Sequence, residues 1–130
     1  MKNRVIISLI FVVPVLVYFL LLSFNPNLAV EESVQAMTDM PKVIVFSTPM
    51  CGECRKMSPV VEKVKSNYDG TVEIIKINAA ESKSANLVRK HGIYLVPTTL
   101  FIDKNGNVLT RAEGAMSFEE FDSLIQSLLK

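Results

Sequence analysis

Apolar positions along this chain follow two regimes. Val5 to Phe24 is an unbroken run of 20 residues with no charged side chain, and its only polar groups are Ser8, Ser23 and the Tyr18 hydroxyl. A helix of that length covers about 30 Å, the hydrocarbon thickness of a bilayer. The run therefore predicts a transmembrane helix, and its one proline, Pro14, is tolerated in such helices. From Lys42 onward the apolar positions become periodic. Val43-Ile44-Val45-Phe46-Ser47 is short, apolar and β-branched, which predicts a buried strand over 43–48. Met57, Val60, Val61 and Val64 then fall at helical spacing and predict a helix over 52–67, closed by the turn residues Asn67-Tyr68-Asp69-Gly70. A second strand follows over 72–77. A second helix runs from Ser82 to Lys90, with Ser82 or Ser84 as its cap and Gly92 as its stop. Strands over 98–102 and 107–111 flank Asp103-Lys104-Asn105-Gly106, whose Asn-Gly step signals a hairpin. The last helix opens at Ser117, with Glu119 and Glu120 in its first turn and a core stripe of Phe118, Phe121, Leu124, Ile125 and Leu128.

The resulting order, β-α-β-α-β-β-α, predicts an α/β domain. A right-handed crossover makes the first two strands parallel and the hairpin adds an antiparallel pair, giving a four-stranded mixed sheet with helices on both faces. The chain thus divides into an N-terminal anchor over 1–24, a linker over 25–41 and a folded domain over 42–130. Asn25-Pro26-Asn27 ends the apolar run, and Val30, Val34 and Met37 suggest one or two short amphipathic turns in the linker.

Charge orients the anchor. Lys2 and Arg4 precede the apolar run, whereas Asn25 to Met40 contains no Lys or Arg and carries Glu31, Glu32 and Asp39. The positive-inside bias places the N-terminus in the cytoplasm and the domain outside it. A cleaved signal peptide is the competing reading. Its apolar core is usually about 7–15 residues, and the small-residue site Val34-Gln35-Ala36 lies ten residues beyond this run. Both readings export the domain. The net charge of +1 and the absence of a dense basic patch give no case for nucleic acid.

Cys51-Gly52-Glu53-Cys54 carries the chemistry. It sits where the first strand hands over to a helix, so Cys51 lies where free backbone N–H groups and the positive dipole end stabilise a thiolate. Cys54 follows one helical turn later, on the same face, within bridging reach. These are the only two cysteines, and an exported compartment permits a disulfide. The plainer alternatives are an inert disulfide or half of a zinc site. Zinc needs four ligands and His91 is the one histidine available, so no metal is expected.

At this point the chain resembles the thioredoxin family over residues 42–130. The strand ending Val45-Phe46 precedes Cys-Gly-x-Cys, and Pro59 stands five residues after Cys54, where the family's active-site helix is kinked. Lys76-Ile77-Asn78 matches a strand-end Lys-Leu-Asn. Val96-Pro97-Thr98 matches the cis-proline segment, and Gly114 lies just before the last helix. The resemblance implies a thioredoxin-like fold and a thiol–disulfide oxidoreductase with no cofactor. Cys51 would attack a substrate disulfide and Cys54 would resolve the mixed disulfide. Pro97 would be cis, the backbone of Val96 would pair with a substrate segment, and Met50, Gly52 and Glu53 would support the site. Three departures stand out. Pro49-Met50 replaces the tryptophan before the first cysteine, Val45 replaces a buried aspartate, and residues 25–41 are too few for the strand and helix that open thioredoxin itself.

These features predict an exported, membrane-anchored enzyme that reduces or exchanges disulfides of exported proteins. Protein thiols and disulfides are its partners, residues 5–24 hold it to the membrane, and a membrane redox partner recharges it. Apocytochrome c thiols are one candidate substrate by analogy with tethered relatives. The helix end lowers the Cys51 pKa and Glu53 opposes it, which suits a reductant better than a strong oxidant. An oxidase or isomerase is the alternative direction, and a binding module without turnover is the alternative class.

Overall fold

The computed structural model describes residues 2–23 and 39–130, so the expected linker, with its amphipathic turn or turns, lies outside the described residues up to 38. Helix α1 spans Lys2–Ser23 and contains Pro14. Its side chains are described for 9–21 and Ser23, and every one of these is exposed. Leu9, Ile10, Phe11, Phe19 and Leu21 are among them, so the apolar surface runs around the helix over residues 9–21. Among the described residues no helix is long and apolar enough to cross a membrane.

The domain follows in the expected order. Strand β1 is Lys42–Ser47, helix α2 Gly52–Asn67 and strand β2 Glu73–Asn78, one residue later than the pattern predicts. A 3₁₀ turn over Ser82–Ser84 leads into the short helix α3, Ala85–Lys90. Strands β3 (Thr98–Ile102) and β4 (Val108–Glu113) form the hairpin, and helix α4 is Phe118–Leu128. The sheet order is β2-β1-β3-β4, with β1 parallel to β2 and antiparallel to β3, and β4 antiparallel to β3.

Alternation along β1 builds two cores from one strand. Val43 and Val45 point to one face, where they meet Met57, Val61 and Val64 of α2 and Phe121 and Ile125 of α4. Ile44 and Phe46 point to the other, where they meet Leu87 of α3, Ile93, Leu100 and Ile102. All four of these β1 side chains are at most 3% exposed, which explains why the strand reads as an uninterrupted apolar run. Central placement of β1 carries its C-terminal end, and the cysteines after it, to the middle of one sheet edge.

One helix start differs from expectation. Ser84 is the N-cap of α3 but its side chain makes no capping hydrogen bond, and the chain enters the helix through a 3₁₀ turn whose N-cap is Glu81. At α4 the expectation holds. Ser117 accepts from the Glu120 backbone N–H at 3.2 Å while Glu120 Oε2 accepts from the Ser117 N–H at 2.8 Å.

Candidate active site

Cys51 is the N-cap of α2. Its backbone is extended (φ −89°, ψ 115°), and its Sγ accepts from the Cys54 N–H at 3.1 Å. The side chain thereby occupies the place of a capping oxygen and lies against the unpaired donors of the first helical turn. Cys51 and Cys54 form a disulfide with their Cα atoms 5.2 Å apart. The two sulfurs differ in access, since Cys51 is half-buried and Cys54 is 8% exposed. An incoming sulfur therefore reaches Cys51 first.

The Val96–Pro97 peptide bond is cis. The Val96 carbonyl oxygen lies 3.6 Å from Cys51 Sγ, within reach of a thiol donor at that sulfur. Residues 45 positions apart in sequence are thus brought together by β1 and β3, which are neighbours in the sheet. Pro97 is buried and lines a pocket of about 230 Å³ beneath Cys54.

The supporting residues divide. Met50 is 94% exposed beside Cys51 and makes an apolar rim. Gly52 opens α2 in open space: a Cβ there would meet nothing within 4 Å, and its φ is not positive, so nothing in the local backbone requires glycine. Glu53 is exposed and pairs with Lys56 at 2.8 Å, and this hydrogen bond raises the Lys56 pKa. The carboxylate between the cysteines is therefore partly offset by a cation one turn on.

Beneath Cys54 the pocket presents no carboxylate at position 45. Val45 is 3% exposed and lines the pocket together with Met57 and Val61. Its register neighbours on the sheet are Lys76 on β2 and Thr99 on β3. The Thr99 hydroxyl is buried with no hydrogen-bond partner among the described residues. Lys76 Nζ is held by Glu62 Oε1 at 3.0 Å and lies 3.5 Å from Ser58 Oγ. The bond to Lys76 holds the Glu62 carboxyl below its usual range. Sequence reasoning misses Ser58 and Glu62, although Cys54, Ser58 and Glu62 stand four residues apart along one stripe of α2, and that spacing is the signal that could find them. His91 lies at the end of α3 with its ring centroid 6.3 Å from that of Phe46. Among the described residues no group of three or more His, Cys, Asp or Glu side chains forms a metal-binding cluster.

A thioredoxin-like domain family matches residues 28–129. A thioredoxin from Synechocystis sp. is 32% identical over 92 residues, which cover 71% of this chain and 83% of that protein. A thioredoxin from Haemophilus influenzae is 33% identical over 85 residues, 65% of this chain and 77% of the relative. One from Porphyra purpurea is 30% identical over 91 residues, 70% and 82% of the two chains.

Proposed function

This chain belongs to the thioredoxin family and is a thiol–disulfide oxidoreductase, and from that premise we propose that it reduces or exchanges disulfides of exported proteins while anchored to a membrane. The observation that carries the reading is the Cys51–Cys54 disulfide at the start of α2, with the accessible sulfur beside the Val96 carbonyl.

In the reduced enzyme, Cys51 attacks one sulfur of a substrate disulfide as a thiolate. A Cys51–substrate bond forms, and the other substrate sulfur leaves as a thiolate and takes a proton from water. Cys54 gives up its proton and attacks Cys51 Sγ. The Cys51–Cys54 bond closes, the second substrate thiolate departs, and two electrons have passed to the substrate. The N-terminus of α2 stabilises the attacking thiolate. An extended substrate segment pairs with the backbone at Val96 beside Pro97, and Met50 supplies an apolar contact at the rim. Gly52 and Glu53 form the surface between the sulfurs.

The domain division, with an anchor over 1–24, a linker over 25–41 and a catalytic domain over 42–130, is part of the proposal. Support for anchoring by residues 5–24 comes from the uncharged run itself, from Lys2 and Arg4 before it, and from the apolar side chains displayed around α1. The N-terminus then lies in the cytoplasm and the domain outside it. A reductant in that place must be re-reduced, so a membrane partner carrying cytosolic electrons belongs to the proposal, with C-x-x-C-H segments of apocytochrome c as one substrate class.

Insulin disulfide reduction tests the activity. The wild-type chain turns over and Cys51→Ser does not; equal rates would support a binding module instead. The reduction potential sets the direction. A value below about −220 mV agrees with a reductant, and one near about −120 mV would assign the protein to disulfide formation.

A further inference from the structure

The segment 92–97 carries the carbonyl beside Cys51, and only part of it is packed. Ile93 is buried in the α3-side core, but Tyr94 and Leu95 are 91% and 60% exposed. Val96 packs against that core and Pro97 is buried, and hydrogen bonds hold the exposed turn between them and the end of α3. Helix α3 ends with Gly92 at φ 57°, the Gly92 N–H donating to Arg89 O at 3.1 Å and the Ile93 N–H to Val88 O at 2.9 Å. This paired closure turns the chain out of the helix.

Arg111 on β4 then takes two successive carbonyls. Its Nη1 donates to His91 O at 2.7 Å and its Nη2 to Gly92 O at 2.9 Å. Nε donates to Glu113 Oε1 at 2.8 Å. Arg111 and Glu113 are two apart on one strand and share a face, the face on which Leu100 packs. All three guanidinium nitrogens are thereby engaged, and the fork is fixed in plane against two consecutive peptide groups. Further along the segment the Thr98 hydroxyl donates to Leu95 O at 2.7 Å, and the Gly114 N–H donates to Pro97 O at 2.8 Å. Strand β4 and the residue after it thus grip the segment at both ends, through Arg111 at the start and the backbone of Gly114 at the finish.

We propose that Arg111 is a positioning residue of the active site, holding the segment 92–97 so that the Val96 backbone meets a polypeptide substrate in register with Cys51. The inference rests on the proposed pairing of substrate with Val96. A lysine cannot replace the fork, because an ammonium is a single point of charge and cannot bridge two carbonyls in one plane. A small disulfide that uses no backbone pairing is much less sensitive to the segment's position.

The test uses the full chain with Arg111→Met, Arg111→Lys and Glu113→Gln, each assayed on insulin and on the small aromatic disulfide 5,5′-dithiobis(2-nitrobenzoate). Arg111→Met is expected to raise KM for insulin roughly tenfold, the worth of a charge-assisted hydrogen bond or two, with kcat within about twofold. Its kcat/KM on the small disulfide falls by no more than about twofold, and Arg111→Lys recovers less than about a third of the insulin loss. Equal losses on both substrates, an unchanged insulin KM, or full recovery with lysine would overturn the inference. If Arg111→Met does not fold, Glu113→Gln decides: it keeps the guanidinium but weakens its orientation, so a raised insulin KM supports the role and an unchanged one overturns it. A wild-type chain inactive on insulin would contradict the proposed function itself, whereas an active wild type with insensitive variants contradicts only the role of Arg111.

Discussion

His91 is bound into three parts of the fold. Its N–H donates to Leu87 O, its carbonyl accepts from Arg111, and its ring tilts against Phe46 of β1. Burial pushes its pKa below the usual 6.5, with the cations of Lys90 and Arg111 adding to the effect. The folded state therefore favours the neutral ring, and the unfolded chain binds the proton first as pH falls. Stability from this group is present above about pH 6.5 and declines as the pH drops through the unfolded value toward the folded one. Glu62, Glu81 and Asp103 have lowered pKa values and titrate in a more acid window, so the two effects separate. The Tm of the wild type is expected to fall between about pH 7.5 and 5.5, and that of His91→Gln to fall less; parallel losses would contradict this assignment. At this scale the sequence reveals residues whose chemistry is local. Cys51 and Cys54 declare themselves by spacing, and Pro97 only through the family resemblance that Val96-Pro97-Thr98 helps to carry. Arg111 and Glu62 do not, because their partners lie 19 and 14 residues away and only the fold brings them together.

Elements are legible where one strong local signal sets them. Helix α4 has Ser117 and Glu120 at capping-box spacing followed by an apolar stripe, and both reciprocal hydrogen bonds form. Ser117→Ala should cost about 1 kcal/mol and lower Tm by roughly 4–8 °C, measured by thermal denaturation. No change in Tm would show that the box contributes nothing. The start of α3 is only partly legible, since Ser82 and Ser84 offer equivalent caps; Ser84 takes the N-cap position without a side-chain capping bond, after a 3₁₀ turn that the pattern does not signal. Strand β2 begins at Glu73 because the Glu73 N–H bonds to Pro41 O, a contact that Val72 cannot signal. The hairpin lies where Asn105-Gly106 predicts. Gly106 takes φ 85°, and the Asp103 carboxylate accepts from the backbone of Asn105 and Asn107.

For the whole molecule, the order β-α-β-α-β-β-α and the mixed sheet follow from periodicity, while the two-sided core follows from burial of β1 on both faces. Position 45 shows what such patterning leaves out. A valine there suits a buried strand as well as any apolar residue, so the run alone does not disclose that this position faces the pocket under Cys54. The proposed anchor has a direct consequence. The full chain should remain in the membrane pellet through an alkaline carbonate wash, and a chain lacking residues 1–24 should appear in the supernatant with its insulin-reducing activity intact; a full chain released by the wash would contradict anchoring.

The central claim is that Cys51 exchanges electrons with other polypeptides and Cys54 completes the exchange. Cys54→Ser, expressed in full length and analysed by non-reducing electrophoresis, should accumulate mixed disulfides through Cys51 with exported proteins, and dithiothreitol should collapse them. The same adducts appearing in a Cys51→Ser, Cys54→Ser chain, or no adducts forming with Cys54→Ser, would contradict it.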